Sequence, residues 1–225
     1  MDHEPAVNPI PAVIMAICMV VIAVELVLTA AGAGIIGGAT GIGWRLNVMQ
    51  DYAFSPAVLD RVWSVGDFDP DLLKRFVTYG FVHGDFIGSC FAAALILALG
   101  KFVGDVIRPI PTLIIYFGCL IVGAIAFGVF QSGTTPLFGA YPAIYGLIGA
   151  YTYLLWAIIG AQGGNQLQAF RLIGFLLGLQ LLFAAIFGTS PIWIAELAAF
   201  ITGFGLAIVC APGGWAALVA KLRRD

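Results

Sequence analysis

Charged side chains are scarce: Asp, Glu, Lys and Arg together make up 10% of the 225 residues, where a soluble domain carries about 25%. So little ionic surface excludes a soluble globule. The ten Lys and Arg are scattered and outnumbered by twelve Asp and Glu, which excludes a nucleic-acid footprint and a polybasic lipid anchor. Histidine is nearly missing, with two in the chain, and the four cysteines, Cys18, Cys90, Cys119 and Cys210, lie inside apolar runs without CxxC spacing. That pattern gives no metal site, no cofactor and no disulfide framework. The first residues, MDHEPAVNP, carry acids where a secretory leader would carry Lys or Arg, so the first apolar run is expected to be a retained span.

What the chain has in abundance is apolar surface, at 61% hydrophobic residues and a mean hydropathy of +1.04. A bilayer crossing takes roughly 20 apolar residues, and six runs of that kind can be traced. The first starts near Ile10 and ends in the Gly-rich stretch from Gly32 to Gly43; the second covers Phe86 to Gly100, followed by Lys101 to Arg108 as a polar turn. The third runs from Pro111 to Phe130, the fourth from Leu137 to Ile159, the fifth from Phe170 to Gly188, and the sixth from Ile192 to Cys210. The expected fold class is therefore all-α, a polytopic six-helix membrane bundle. It divides into a tail at 1–9, a membrane domain at 10–210 and a basic tail at 211–225. Between about residues 40 and 75, charges alternate with Trp44, Tyr52, Phe54, Trp63 and Phe68, which reads as an amphipathic loop lying in the membrane interface. With both termini on one side, that side collects six bases against four on the other, which predicts cytoplasmic termini.

Three carboxylates fall within or beside the apolar runs: Glu25, Asp85 and Glu196. A charge at the bilayer centre costs about 2.5–3.5 kcal/mol on insertion scales, so each needs a partner, a proton or a wet cavity. Glu196 sits on a ladder of small residues, Ala195, Ala199 and Gly203, while the fourth run opens with Pro142 and carries Gly146 and Gly149. Small residues at four-residue spacing permit close helix approach, so these two helices are expected to be neighbours. Glu25 reads as a second polar lock or as a contact for a ligand. No serine stands in a GxSxG or SxxK setting, so no nucleophile and base can be paired from spacing.

The order of these parts resembles the rhomboid intramembrane serine proteases over about Pro70 to Ile208. Three blocks carry the resemblance. In LLKRFVTYGFVHGDFIGSCFAAALILALG, Arg75 and His83 match the arginine and first histidine of the family pattern, whereas Gly88 and Ala92 occupy the positions of the second histidine and the asparagine of its oxyanion region. Tyr79 stands where some members carry a further histidine. In LFGAYPAIYGLIGAY, Gly139 matches the GxSG motif, but Tyr141 takes the nucleophile's place and Pro142 that of the second glycine. In AELAAFITG, Ala195 and Gly203 are kept, Glu196 replaces the general-base histidine and Ala199 the first glycine.

The resemblance thus implies the rhomboid bundle and removes the nucleophile and the base that would activate it. It implies a non-proteolytic binder of transmembrane segments of client proteins, in the bacterial inner (plasma) membrane, with the bilayer as its other partner. If the helices pack as in the family, Tyr141 and Glu196 meet, and a Tyr–Glu hydrogen bond is expected. An alternative is a rhomboid-type serine endopeptidase with a relocated nucleophile, Ser132 with His83 as its base; Gln131 and Ser132 would then lie near the site. A third reading, a small transporter or proton pathway, would use Glu25, Asp85 and Glu196. The client and the oligomeric state are not legible.

Overall fold

A computed structural model describes residues 9–187 and 190–212. The expected tail at 1–9, Gly188 at the end of the fifth run, and the basic tail beyond residue 212 fall wholly or largely outside them. Among the described residues there is no strand, only an antiparallel bridge between Phe54 and Leu137. Six long helices form the bundle. We label them, with two loop helices, α1 (Ala12–Gly32), α2 (Trp44–Tyr52), α3 (Pro56–Asp60), α4 (Phe86–Ile107), α5 (Pro109–Phe130), α6 (Tyr141–Ala161), α7 (Arg171–Phe187) and α8 (Trp193–Cys210). Five of them, α1, α4, α5, α6 and α8, are long and apolar enough to cross a membrane. The 17 described residues of α7 sit at the short end of the spanning range.

Local signals set the helix starts. Asp85 caps α4 by accepting the Gly88 N–H at 2.8 Å, and Pro109 and Pro142 occupy the first turns of α5 and α6, where a missing N–H costs nothing. One boundary differs from expectation: residues 101–107 are not a polar turn but the last two turns of α4. Lys101 and Asp105 are four apart and pair at 2.9 Å along the helix surface, while Val103, Gly104 and Ile107 on the other side are buried. Charge spaced at i,i+4 can stay helical without leaving an apolar face unsatisfied. The chain turns at Arg108, whose φ is +84°.

The core is organised around α6, in which nearly every residue from Pro142 to Leu154 is buried. It packs on α4, α5 and α8, and α1 packs mainly on α4. The closest approach is between α6 and α8, as the glycine spacing predicted. A Cβ at Gly203 would collide with the Gly146 carbonyl, and one at Gly149 with the Phe200 carbonyl. By contrast, α7 packs sparsely, touching α6 and the short 3-10 turn Gln166–Phe170.

The first loop is built from short helical pieces, and its amphipathic character differs from the expected stripe. Helix α2 has no buried residue. Phe54, Val58, Leu59, Leu72 and Phe76 turn inward to the core while Trp63, Val65 and Phe68 remain exposed. Main-chain bonds fix this loop to the approach of α6: Phe54 N–H to the Leu137 carbonyl at 3.0 Å, Leu137 N–H to the Phe54 carbonyl at 2.7 Å, and Ala57 N–H to the Gly133 carbonyl at 3.2 Å.

Candidate functional site

The N-terminal end of α6 brings together most of the residues singled out from sequence. Gly139 has φ +97°, a conformation that favours glycine, and its N–H donates to the Tyr79 carbonyl at 2.9 Å. A Cβ there would stand 3.5 Å from Tyr141 Cδ2 and 3.8 Å from His83 Cδ2. His83, in the segment that leads into α4, accepts the Ala140 N–H on Nε2 at 3.3 Å. That bond assigns the proton of the neutral ring to Nδ1, which is buried and makes no hydrogen bond among the described residues. Burial lowers the His83 pKa below its usual value, against smaller opposing effects of Glu25, the nearby Phe81 carbonyl and Asp85.

Across from Tyr141, Glu196 sits in the first turn of α8, 7% exposed. A Cβ at Gly123 of α5 would lie 3.1 Å from Pro142 and 3.2 Å from the Ala195 carbonyl, so α5, α6 and α8 converge beside this pair. The expected Tyr141–Glu196 hydrogen bond is not formed. The carboxylate is taken instead by the side-chain amide of Gln180 from α7, a side chain whose two N–H groups can reach a carboxylate that the shorter, ring-constrained phenol does not. Tyr141 makes no side-chain hydrogen bond among the described residues, although Glu196 and Asp85 both lie within electrostatic reach of it. Gln180 is the one polar side chain between Leu172 and Gly188, a signal that sequence reading could have used.

Glu25 is not part of this cluster directly but is wired to it. Its carboxylate, 1% exposed, receives Arg45 in a two-point contact, Nη2 to Oε1 at 2.6 Å and Nη1 to Oε2 at 3.1 Å, and Thr29 Oγ1 donates to Oε1 at 2.8 Å. Arg45 Nη1 also donates to the His83 carbonyl at 2.8 Å. Hydrogen bonding to Glu25 raises the already high Arg45 pKa, so the guanidinium is charged throughout the accessible range. The clamp joins α1, α2 and the His83 segment. Arg45 was missed from sequence, yet a carboxylate buried in a span followed by a single arginine 20 residues on was the available clue.

The remaining positions are structural. Gly88 supplies an N–H to Asp85, and Ala92 is fully buried. Arg75 holds the first loop through main-chain carbonyls: Nη1 reaches Gln50 at 2.7 Å and Nε reaches Asp71 at 3.3 Å. Tyr79 donates to the Leu120 carbonyl at 2.9 Å from a fully buried position. Gln131 and Ser132 lie elsewhere, in a groove between the first loop and the end of α5. No hydrogen bond links His83 to a serine among the described residues; Ser89 instead donates to the Phe86 carbonyl at 3.0 Å. The three carboxylates of the transport reading are each engaged separately, Glu25 by Arg45, Asp85 as a helix cap and Glu196 by Gln180.

No curated protein matches this chain. The Rhomboid domain family model does, over residues 70–213, a stretch that contains His83, Tyr141 and Glu196 and begins after the Glu25–Arg45 clamp. With apolar helices long enough to span, and more than half its length matched, the chain is an integral membrane protein that belongs to the rhomboid family.

Proposed function

We propose that this rhomboid-family protein binds transmembrane segments of client proteins without cutting them. The observation that carries the reading is the occupancy of the two dyad-equivalent positions: a phenol at Tyr141, whose reference pKa is about 10, and at Glu196 a carboxylate hydrogen-bonded to Gln180. Neither offers an activated nucleophile, because no base faces Tyr141 within a hydrogen bond. Binding alone requires less. Sparse packing of α7 on the bundle leaves apolar helix surface next to the Tyr141–Glu196 end, and a client helix in lipid would be held by close packing and a few interhelical hydrogen bonds.

The protein would sit in a bacterial inner membrane with both termini in the cytoplasm; reporter fusions on either side of Arg75 check this, and a cytoplasmic first loop reverses it. Function is tested with the purified protein in lipid nanodiscs. A fluorophosphonate probe reports any activated serine, and a panel of labelled single-span peptides reports binding and cleavage together. Saturable peptide binding, no cleavage and no labelling is the expected result. Labelling that disappears in Ser132→Ala or Ser89→Ala and in His83→Ala would establish a relocated protease. Absence of peptide binding across the panel would overturn the binding reading.

A further inference from the structure

A second concave site lies away from the Tyr141–Glu196 end and shares no lining residue with it. It is a groove of about 520 Å³ between α3, the π-helical turn Arg61–Val65 and the C-terminal end of α5. Its apolar walls are Pro56, Leu59, Trp63, Ile125 and Val129. Leu59 can seat against α5 because position 128 is glycine: a Cβ there would come within 2.7 Å of it.

The polar groups are few and unequal. Asp60 is the one ionised side chain on the lining. Its Oδ1 accepts the Ser64 hydroxyl at 2.7 Å, and its other oxygen is unengaged. The adjacent cation, Arg61, is neutralised by Asp67 at 2.6 Å. Trp63 stands 80% exposed beside Asp60. A carboxylate and an indole face at one rim are complementary to an ammonium group, through charge and through the ring quadrupole. At the opposite rim, the Gln131 amide and Ser132 hydroxyl have no partner among the described residues and can donate to an anionic oxygen.

The location points to lipid. Helix α5 is 22 residues long, about 33 Å at 1.5 Å per residue, which matches the hydrocarbon thickness, so a groove at its end lies at headgroup depth. Ile125 and Val129 in the groove continue one helical turn inward to Ile121 and Val122, both exposed. That stripe gives an acyl chain a path along the span, directly below a place for its headgroup.

We propose that this groove holds the headgroup of a phosphatidylethanolamine. The primary ammonium donates to Asp60 and lies against Trp63, the phosphate accepts from Gln131 and Ser132, and one acyl chain runs down the Ile125 face of α5. A primary amine is preferred over choline because the Asp60 oxygen needs a hydrogen-bond donor, and a single indole does not make the aromatic cage a quaternary ammonium uses.

Native mass spectrometry of the full-length protein from micelles doped with equal amounts of phosphatidylethanolamine, phosphatidylcholine and phosphatidylglycerol, all with the same acyl chains, tests it. Retention of phosphatidylethanolamine at least fivefold above either competitor is expected, falling to parity in Asp60→Asn and at least halving in Trp63→Leu. Both side chains are on the surface, so the thermal midpoint of each variant is expected to match the parent. Equal retention of phosphatidylcholine or phosphatidylglycerol by the parent protein would overturn the proposal, as would a preference that survives both substitutions.

Discussion

Removing Arg45 isolates a carboxylate in the most costly place the fold offers. Glu25 is 1% exposed and Arg45 23%, so solvent screens little of their interaction, and the contact is two-pronged with 2.6 and 3.1 Å separations. Breaking a buried pair from one side costs about 3–5 kcal/mol, mostly through the charge left behind. Arg45→Ala should sit at about 3–4 kcal/mol on that scale, because Thr29 alone remains to hydrogen-bond the carboxylate. Glu25→Ala should cost less, about 2–3 kcal/mol, since the guanidinium keeps the His83 carbonyl and its partial access to water. The double variant should lose less than the sum, leaving a coupling of about 2 kcal/mol. Equilibrium unfolding in mixed micelles measures all three. The reasoning fails if the coupling is below about 0.5 kcal/mol, the level at which independent sites add. A second readout is local: the clamp holds the His83 carbonyl, so cleavage of the loop at 40–75 by added protease should accelerate in both single variants.

Three further outcomes are expected. Because burial lowers the folded-state His83 pKa below its unfolded value, the unfolded chain binds more protons at mildly acidic pH. Stability is then complete above the unfolded value, about 6.5, and declines as pH falls below it. Unfolding at stepped pH should show this loss in the parent protein and its absence in His83→Gln. Gly203→Ala would push a methyl into the Gly146 carbonyl; overpacking costs about 1–3 kcal/mol or more, and a melting midpoint unchanged from the parent would contradict the α6–α8 approach. Gln180→Leu removes the hydrogen bond to Glu196, and bonds of this kind in membranes average about 0.6 kcal/mol with a maximum near 1.7. A small shift in the unfolding midpoint is therefore expected, whereas α7 should become more open to a thiol-reactive probe placed on its exposed Leu179.

The six long helices were legible because a span announces itself locally: a run of apolar residues needs no information from elsewhere in the chain. The α6–α8 neighbourhood was legible for the same reason, since Gly146, Gly149, Ala199 and Gly203 carry their spacing in the sequence. The reading of residues 101–108 as a turn failed because charge was weighed without its i,i+4 register, which lets Lys101 and Asp105 pair on a continuing helix. Family-specific motif positions could be placed on His83, Tyr141 and Glu196 without any structure. Their partners could not. Which group satisfies a buried carboxylate depends on which helices come within about 3 Å of each other, and that is set by packing over the whole bundle.

By itself, then, the sequence determined a polytopic helical membrane protein, its spans, its closest helix pair and the residues that replace the family's dyad. Tertiary structure alone decided that Glu196 is held by Gln180 across 16 residues, that Glu25 is held by Arg45 across 20, and that His83 takes the Ala140 N–H across 57. The division has one physical origin: burial of apolar surface in lipid is additive along the chain, whereas hydrogen bonding inside it depends on geometry to a fraction of an ångström.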